Sequence, residues 1–162
     1  MLNAIRITFA LLAAYFLATI TFSSAQTPSA PAQTQSPAQS MPGQTPSPSG
    51  AKVYFINLKD GQEVSSPFLV QFGLSGMGVA PAGVEKPNTG HHHLLVDASL
   101  SGEALKQPIP MHDTHRHFGN GQTEAMITLL PGKHSLQLAL GDWSHIAHVP
   151  PVTSDVITVT VR

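Results

Sequence analysis

Apolar and polar residues alternate in short runs from residue 52 to the end of the chain, and a spacing of two is typical of half-buried β-strands. Turn-forming pairs separate the runs, of which Asp60-Gly61 and Pro131-Gly132 are the clearest. No stretch of this part shows the spacing of an amphipathic helix. The predicted strands cover residues 52–58, 68–74, 92–96, 104–109, 123–129, 136–140 and 157–161, and the fourth is weak.

Short strands separated by turns every 8–15 residues favour two packed sheets. We therefore predict an all-β fold, a seven-stranded antiparallel immunoglobulin-like sandwich. Its core is expected to contain the alternating apolar residues of neighbouring strands, among them Phe72, Leu94 and Leu138.

The first 25 residues have the pattern of a secretory signal peptide. Arg6 precedes an apolar run over residues 8–22, and the small residues Ser23-Ser24-Ala25 follow it. The run is shorter than the roughly 20 apolar residues that a membrane span needs, so cleavage after Ala25 is favoured over an anchor helix. We predict a periplasmic or secreted protein with no membrane span after cleavage.

Residues 26–50 differ in composition from the rest of the chain. They are rich in Pro, Ser, Gln and Thr, carry no charge, and have Met41 as their one large apolar side chain. Such a segment buries too little apolar surface to offset the entropy of ordering. We predict a disordered tether over residues 26–50 and a folded domain over residues 51–162.

Composition excludes several classes of function. After residue 25 the chain has 7 Lys or Arg and 9 Asp or Glu, and it has no basic stripe, so we predict no nucleic-acid binding. The chain has no cysteine, which excludes disulfides and a lipoprotein acyl anchor. It also lacks the common motifs of hydrolases, zinc proteases and nucleotide-binding loops, which argues against an enzyme. We expect a monomer.

Histidine is the unusual residue of this sequence, because all nine copies lie between His91 and His148. If the predicted strands run alternately up and down, the second–third, fourth–fifth and sixth–seventh connections share one end of the sandwich. Residues 91–93, 112–117 and 145–148 lie in or beside these connections, whereas His134 lies at the opposite end. Eight of the nine histidines are therefore predicted to meet at one end.

Neutral imidazole is a common ligand of copper and zinc, and its affinity for metal should fall as the pH drops through about 6.5. Residues i and i+2 of a strand share a face, so His91 and His93 point the same way, as do His115 and His117. His92 points with Leu94 towards the core and is expected to be structural. The predicted ligands of a copper or zinc ion are His91, His93, His115, His117, His145 and His148.

Other interpretations of the histidines remain open at this point. They could form a hydrogen-bonded network that braces long loops, with the loops binding an envelope protein or polymer. A metal-dependent enzyme is a third interpretation, and it would need an open coordination position and a general base. The metal interpretation predicts storage, delivery or sensing of the ion.

Three stretches resemble one bacterial family of secreted proteins, the domain of unknown function family 4399. They are FINLKDGQEVSSPFLVQFGLSGMGVAPAGVEKPNTGHHHLLVD, HRHFGNGQTE and LPGKHSLQLALGDWSHIAH. The resemblance implies an envelope location and a compact β-rich domain, but no activity. Residues 57–76 and 130–161 also resemble the first two and the last two strands of bacterial immunoglobulin-like domains.

Overall fold

The computed structural model describes residues 43–162. The predicted signal peptide and residues 26–42 of the predicted tether lie outside this range. The described part is almost entirely β-structure, with one short 3-10 helix at Gly102–Lys106. Its strands are β1 Lys52–Phe55, β2 Gln62–Val64, β3 Phe68–Ser75, β4 Gly78–Val79, β5 Thr89–Val96, β6 His115–Phe118, β7 Glu124–Ile127, β8 Gly132–Gly141 and β9 Ile157–Val161.

The strands form two sheets. The smaller sheet has the order β1-β3-β7, and the larger has the order β2-β9-β8-β5-β4. Strand β5 is central, because β8 pairs with one of its edges while β4 and β6 pair in succession with the other. No helix within residues 43–162 is long and apolar enough to cross a membrane.

The all-β prediction is confirmed, but the sheets differ from it in strand count and direction. Strands β2, β4 and β6 are additional, and the predicted fourth strand is replaced by the 3-10 helix and a loop. Two of the pairings, β2 with β9 and β4 with β5, are parallel. The additional strands have two to four residues, which is too short to produce a recognisable alternation.

Apolar side chains from both sheets form the main core. Phe72 of the smaller sheet and Leu94 and Leu138 of the larger one are buried in it, as predicted. His92 also faces this side, where its ring lies 5.2 Å from that of Phe72. Its Nδ1 is 3.2 Å from the Gln122 carbonyl, so His92 is the structural histidine that the sequence predicts.

The second face of strand β5 is buried as well. Leu95 and Ala139 on this face pack against Leu100, Ile109 and Ala147, which belong to the segments that follow β5 and β8. These segments cover the outer face of the larger sheet. As a result, every residue from His91 to Val96 is buried, including three histidines.

The last residues of the predicted tether are hydrogen-bonded to the folded domain. Ser47 N donates to Val149 O at 2.9 Å, and Val149 N donates to Thr45 O at 3.0 Å. Gln44 Nε2 donates to the carbonyls of Leu105 and Ala147. Polar residues before Ala51 are therefore held to the folded part by hydrogen bonds, although they lack apolar bulk.

We expect a fragment of residues 43–162 to be more stable than one of residues 51–162. The shorter fragment lacks the hydrogen bonds of Gln44, Thr45 and Ser47, each of which contributes about 0.5–1.5 kcal/mol. Its free energy of unfolding in urea should be lower by roughly 1–4 kcal/mol. Thr45→Val in the longer fragment should give an intermediate value. Equal stability of the two fragments would show that these contacts do not hold in solution.

Candidate metal centre

Four imidazoles converge on the outer face of the larger sheet, and we call them the histidine tetrad. They are His91 and His93 of β5, His117 of β6, and His145 of the loop after β8. All six pairs of rings have centroids 4.7–6.1 Å apart. The Nε2 atoms of His91 and His93 are 3.0 Å apart, and those of His117 and His145 are 3.1 Å apart.

Strand pairing positions three of the four rings. His91 and His93 share a face because they are two residues apart in β5. His117 lies directly opposite His93 in the antiparallel pairing of β5 with β6. The residue pattern therefore places three imidazoles side by side before any loop contributes.

The fourth ring depends on an unusual loop conformation. His145 has a positive φ of 68°, which a residue with a side chain adopts only when its surroundings enforce it. Asp142 provides this constraint, since its Oδ1 accepts hydrogen bonds from Ser144 N and Ile146 N. Its Oδ2 accepts one from Thr45 Oγ1 at 2.7 Å. The carboxylate thus links the loop of His145 to the segment before β1.

Two glycines provide the space for the rings. A Cβ atom on Gly141 would lie 2.8 Å from His93 Nε2 and 3.4 Å from His91 Nε2. A Cβ atom on Gly119 would collide with the ring of His117. Neither glycine has a positive φ, so it is the space beside the nitrogens and not the backbone conformation that requires them.

Burial keeps the tetrad neutral. Desolvation, reinforced by the neighbouring imidazoles, lowers the pKa of His91 to about 4 and that of His93 to about 2. The pKa of His117 is also lowered, by desolvation and then by His145. Neutral imidazoles present a nitrogen lone pair, which is the form that binds a metal ion.

The tetrad does not satisfy its own hydrogen-bonding capacity. In each close Nε2 pair, one ring must carry the proton and the other the lone pair. The Nδ1 atoms of His91 and His93 are buried and have no partner among residues 43–162. Most metal-binding histidines donate a hydrogen bond from this second nitrogen to a protein acceptor. His91 and His93 have no such acceptor among residues 43–162, so packing alone orients their rings. The Nε2 of the structural His92 is also buried without a partner there, so this feature alone does not separate the tetrad from a structural histidine.

Two of the six nitrogen spacings in the tetrad are close to those around a tetrahedral metal ion. With metal–nitrogen bonds of about 2.0–2.1 Å, neighbouring ligands of a tetrahedron are about 3.3 Å apart. The two close Nε2 pairs are within about 0.3 Å of this value. Ligand nitrogens of His91, His117 and His145 also lie within 4.8 Å of one another. His93 is outside this group, so its ring would have to move towards His117 and His145 for all four nitrogens to surround one ion.

The remaining predicted ligands lie elsewhere. His115 is opposite Leu95 rather than His93, and its ring packs on that of His112 with centroids 4.5 Å apart. His148 is buried, with its two ring nitrogens 3.4 Å from Leu140 O and 3.2 Å from Thr89 O. The structure thus brings together four of the six predicted ligands, on a sheet face rather than at the loops of one end.

His134 lies apart from the tetrad, as the strand order predicts. Its Nδ1 is 2.7 Å from a carboxylate oxygen of Asp97, and this hydrogen bond raises the pKa of His134. Sequence reasoning missed the two glycines, and it placed Asp142 near the histidines without identifying its role in fixing the loop. The strand pattern indicates neither the contacts of Gly119 and Gly141 nor the loop that Asp142 organises.

The sequence profile of the domain of unknown function family DUF4399 matches residues 70–162, which include the whole tetrad. The chain belongs to the DUF4399 family. No curated protein matches this DUF4399 chain. One solved structure, the endo-beta-1,4-mannanase from Thermotoga petrophila, is similar at 18% identity with a TM-score of 0.40. The match covers 69% of this chain and 20% of the mannanase, and at this level it carries no argument about function.

We expect the histidines of the metal-free protein to titrate in two distinct groups. His91 should stay neutral down to about pH 4 and His93 lower still, whereas His134 should titrate above 6.5. NMR spectra of the imidazole protons across pH 3–8, recorded with chelator present, would measure this. Titration of His91 and His93 near 6.5 would contradict their burial.

The same shifts predict a loss of stability in acid. The unfolded imidazoles of His91 and His93 bind protons near pH 6.5, whereas the folded ones do so only near 4 and 2. The unfolded state therefore binds more protons below pH 6.5, and the free energy of unfolding should fall as the pH drops from 6.5 towards 4.

Proposed function

We propose that this DUF4399 protein binds one copper or zinc ion through His91, His93, His117 and His145. The observation that carries the proposal is the convergence of four neutral imidazoles, with two Nε2 pairs at 3.0 and 3.1 Å, in a space kept open by Gly141. Within residues 43–162, one group of three or more potential ligand residues has its ligand atoms within 4.8 Å of one another, and it consists of His91, His117 and His145.

The donor set favours particular ions. Calcium and magnesium prefer oxygen ligands, whereas a nitrogen-only set suits Zn²⁺ and Cu²⁺. The carboxylate of Asp142 already accepts hydrogen bonds from Thr45, Ser144 and Ile146. Four protein ligands would occupy all coordination positions of a tetrahedral ion, whereas a hydrolytic metal enzyme needs one position open for water or substrate. Storage, delivery or sensing of the ion is therefore favoured over catalysis.

The alternative, in which histidines brace loops through hydrogen bonds, fits the histidines outside the tetrad better than it fits the tetrad itself. A ring nitrogen of His92, of His148 and of His134 lies near a backbone carbonyl, as expected of histidines that hold loops in place. The tetrad nitrogens instead face one another. A module that binds an envelope protein or polymer through braced loops remains the alternative function, supported only by the histidines outside the tetrad.

The proposed setting is the periplasm or the extracellular space. Its support is the signal-peptide pattern of residues 1–25 and the polar composition of residues 26–50. An exported protein meets metal ions outside the cytoplasm, where a tethered domain would be able to take up or present them.

A thermal melt of the tag-free protein tests the proposal. Binding to the folded state alone stabilises it by RT ln(1 + [L]/Kd), about 2.7 kcal/mol when the free ion is at 100 times Kd. We expect Cu²⁺ or Zn²⁺ to raise Tm at pH 7.5. Because the pKa values of three ligands are lowered, the effect should persist below the 6.5 of an ordinary imidazole and disappear towards pH 4.

Matched variants separate the tetrad from the rest of the protein. His93→Ala combined with His117→Ala should abolish the rise in Tm, and His134→Ala should leave it intact. Gly141→Ala should lower metal affinity by about 10–100-fold, the range for changes beside metal ligands. Its control is Gly78→Ala in β4, where the added Cβ meets only ordinary contacts. A folded wild-type protein with no metal-dependent rise at pH 7.5 would refute the proposal.

A further inference from the structure

A second pair of histidines lies outside the tetrad, on the hairpin that leads into β6. His112 and His115 face each other across the two-residue turn Asp113-Thr114. The backbone closes this turn with His115 N donating to His112 O at 2.9 Å and His112 N donating to His115 O at 3.3 Å. The two side chains therefore stand on one face of the hairpin, with ring centroids 4.5 Å apart.

The hydroxyl of Thr114 orients both rings. Its Oγ1 is 3.0 Å from Nδ1 of His112 and 3.0 Å from Nδ1 of His115. Neither Nε2 has a hydrogen-bond partner among residues 43–162. A hydroxyl oxygen has two lone pairs, so it can accept from both Nδ1–H groups at once. In that state both Nε2 atoms carry lone pairs, which is the form that binds a metal ion.

The pair is exposed and lies beside the buried tetrad. His112 is exposed and His115 half-buried, whereas His91 and His93 are fully buried. His115 and His117 are two residues apart in β6 and therefore share a face of the sheet. The rings of His117 and His145 are half-buried and are the more exposed members of the tetrad, and His115 lies two residues from His117 in the same strand.

We propose that His112 and His115 form a second, exposed metal site that captures Cu²⁺ from solvent and passes it to the tetrad. Two imidazoles with Nδ1 held by Thr114 resemble the usual arrangement in which an acceptor orients each metal-binding ring. Cu²⁺ binds such nitrogen sites most strongly among the divalent first-row ions. With two protein ligands instead of four, the site binds more weakly and releases its ion more readily. The transfer step rests on the proposed function of the tetrad, whereas capture does not.

Calorimetric titration of the tag-free full chain with Cu²⁺ at pH 7.5 tests capture. The wild-type protein should bind two equivalents, one tightly and one weakly. His112→Ala should lose only the weak equivalent, and Thr114→Val should weaken it while Thr114→Ser retains it. His134→Ala, which changes an unrelated surface histidine, should bind both. A His112→Ala protein that still binds two equivalents, or a wild-type protein that binds only one, overturns the second site.

The tetrad variant distinguishes failure of this site from failure of the proposed function. His93→Ala with His117→Ala should keep the weak equivalent and lose the tight one. If the tight equivalent survives in that variant, the tetrad proposal fails while capture by the pair stands.

Transfer is tested by stopped-flow loading with limiting Cu²⁺. His112→Ala should fill the tetrad several-fold more slowly, and an unchanged loading rate overturns the transfer step.

Discussion

Burial of strand β5 on both faces is the constraint on which the rest of the structure depends. Side chains alternate in direction along β5, so His92 and Leu94 face the main core and His91 and His93 lie on the opposite face. A sheet face of this kind is usually solvated, but here the segments after β5 and β8 cover it. Desolvation then holds the imidazoles neutral, and the Nδ1 atoms of His91 and His93 have no hydrogen-bond partner among residues 43–162. The chemistry of the site follows from this burial more than from the number of histidines.

The loop of His145 connects the site to the segment that precedes β1. Thr45 binds Asp142, and Asp142 in turn fixes the backbone around His145. Thr45 lies before the part of the chain that matches the family profile, which begins at residue 70, whereas Asp142 lies within it. Cleavage before β1 would therefore act first on His145, the one tetrad residue that a loop positions. The three tetrad residues in strands would keep their places, because β-sheet pairing holds them.

The local pattern was enough to predict part of the fold and of the site. Alternation correctly placed Leu94 in the core, and the two-residue spacing correctly put His91 and His93 on a common face. The pairing of β5 with β6 is a long-range contact between short strands, so the sequence did not reveal that His117 faces His93 while His115 faces Leu95. Nor does spacing distinguish ligands from braces in the loop after β8. There, backbone conformation turns one histidine towards the tetrad and the next towards carbonyl oxygens.

The central claim is that four imidazole nitrogens surround one ion, and X-ray absorption of the zinc-loaded, tag-free protein tests it most directly. The protein would be loaded with one equivalent of Zn²⁺ at pH 7.5 and freed of excess ion. The account predicts about four nitrogen neighbours at roughly 2.0–2.1 Å, together with the outer-shell scattering of imidazole rings. A coordination shell dominated by oxygen, or one with fewer than three imidazoles, would contradict it.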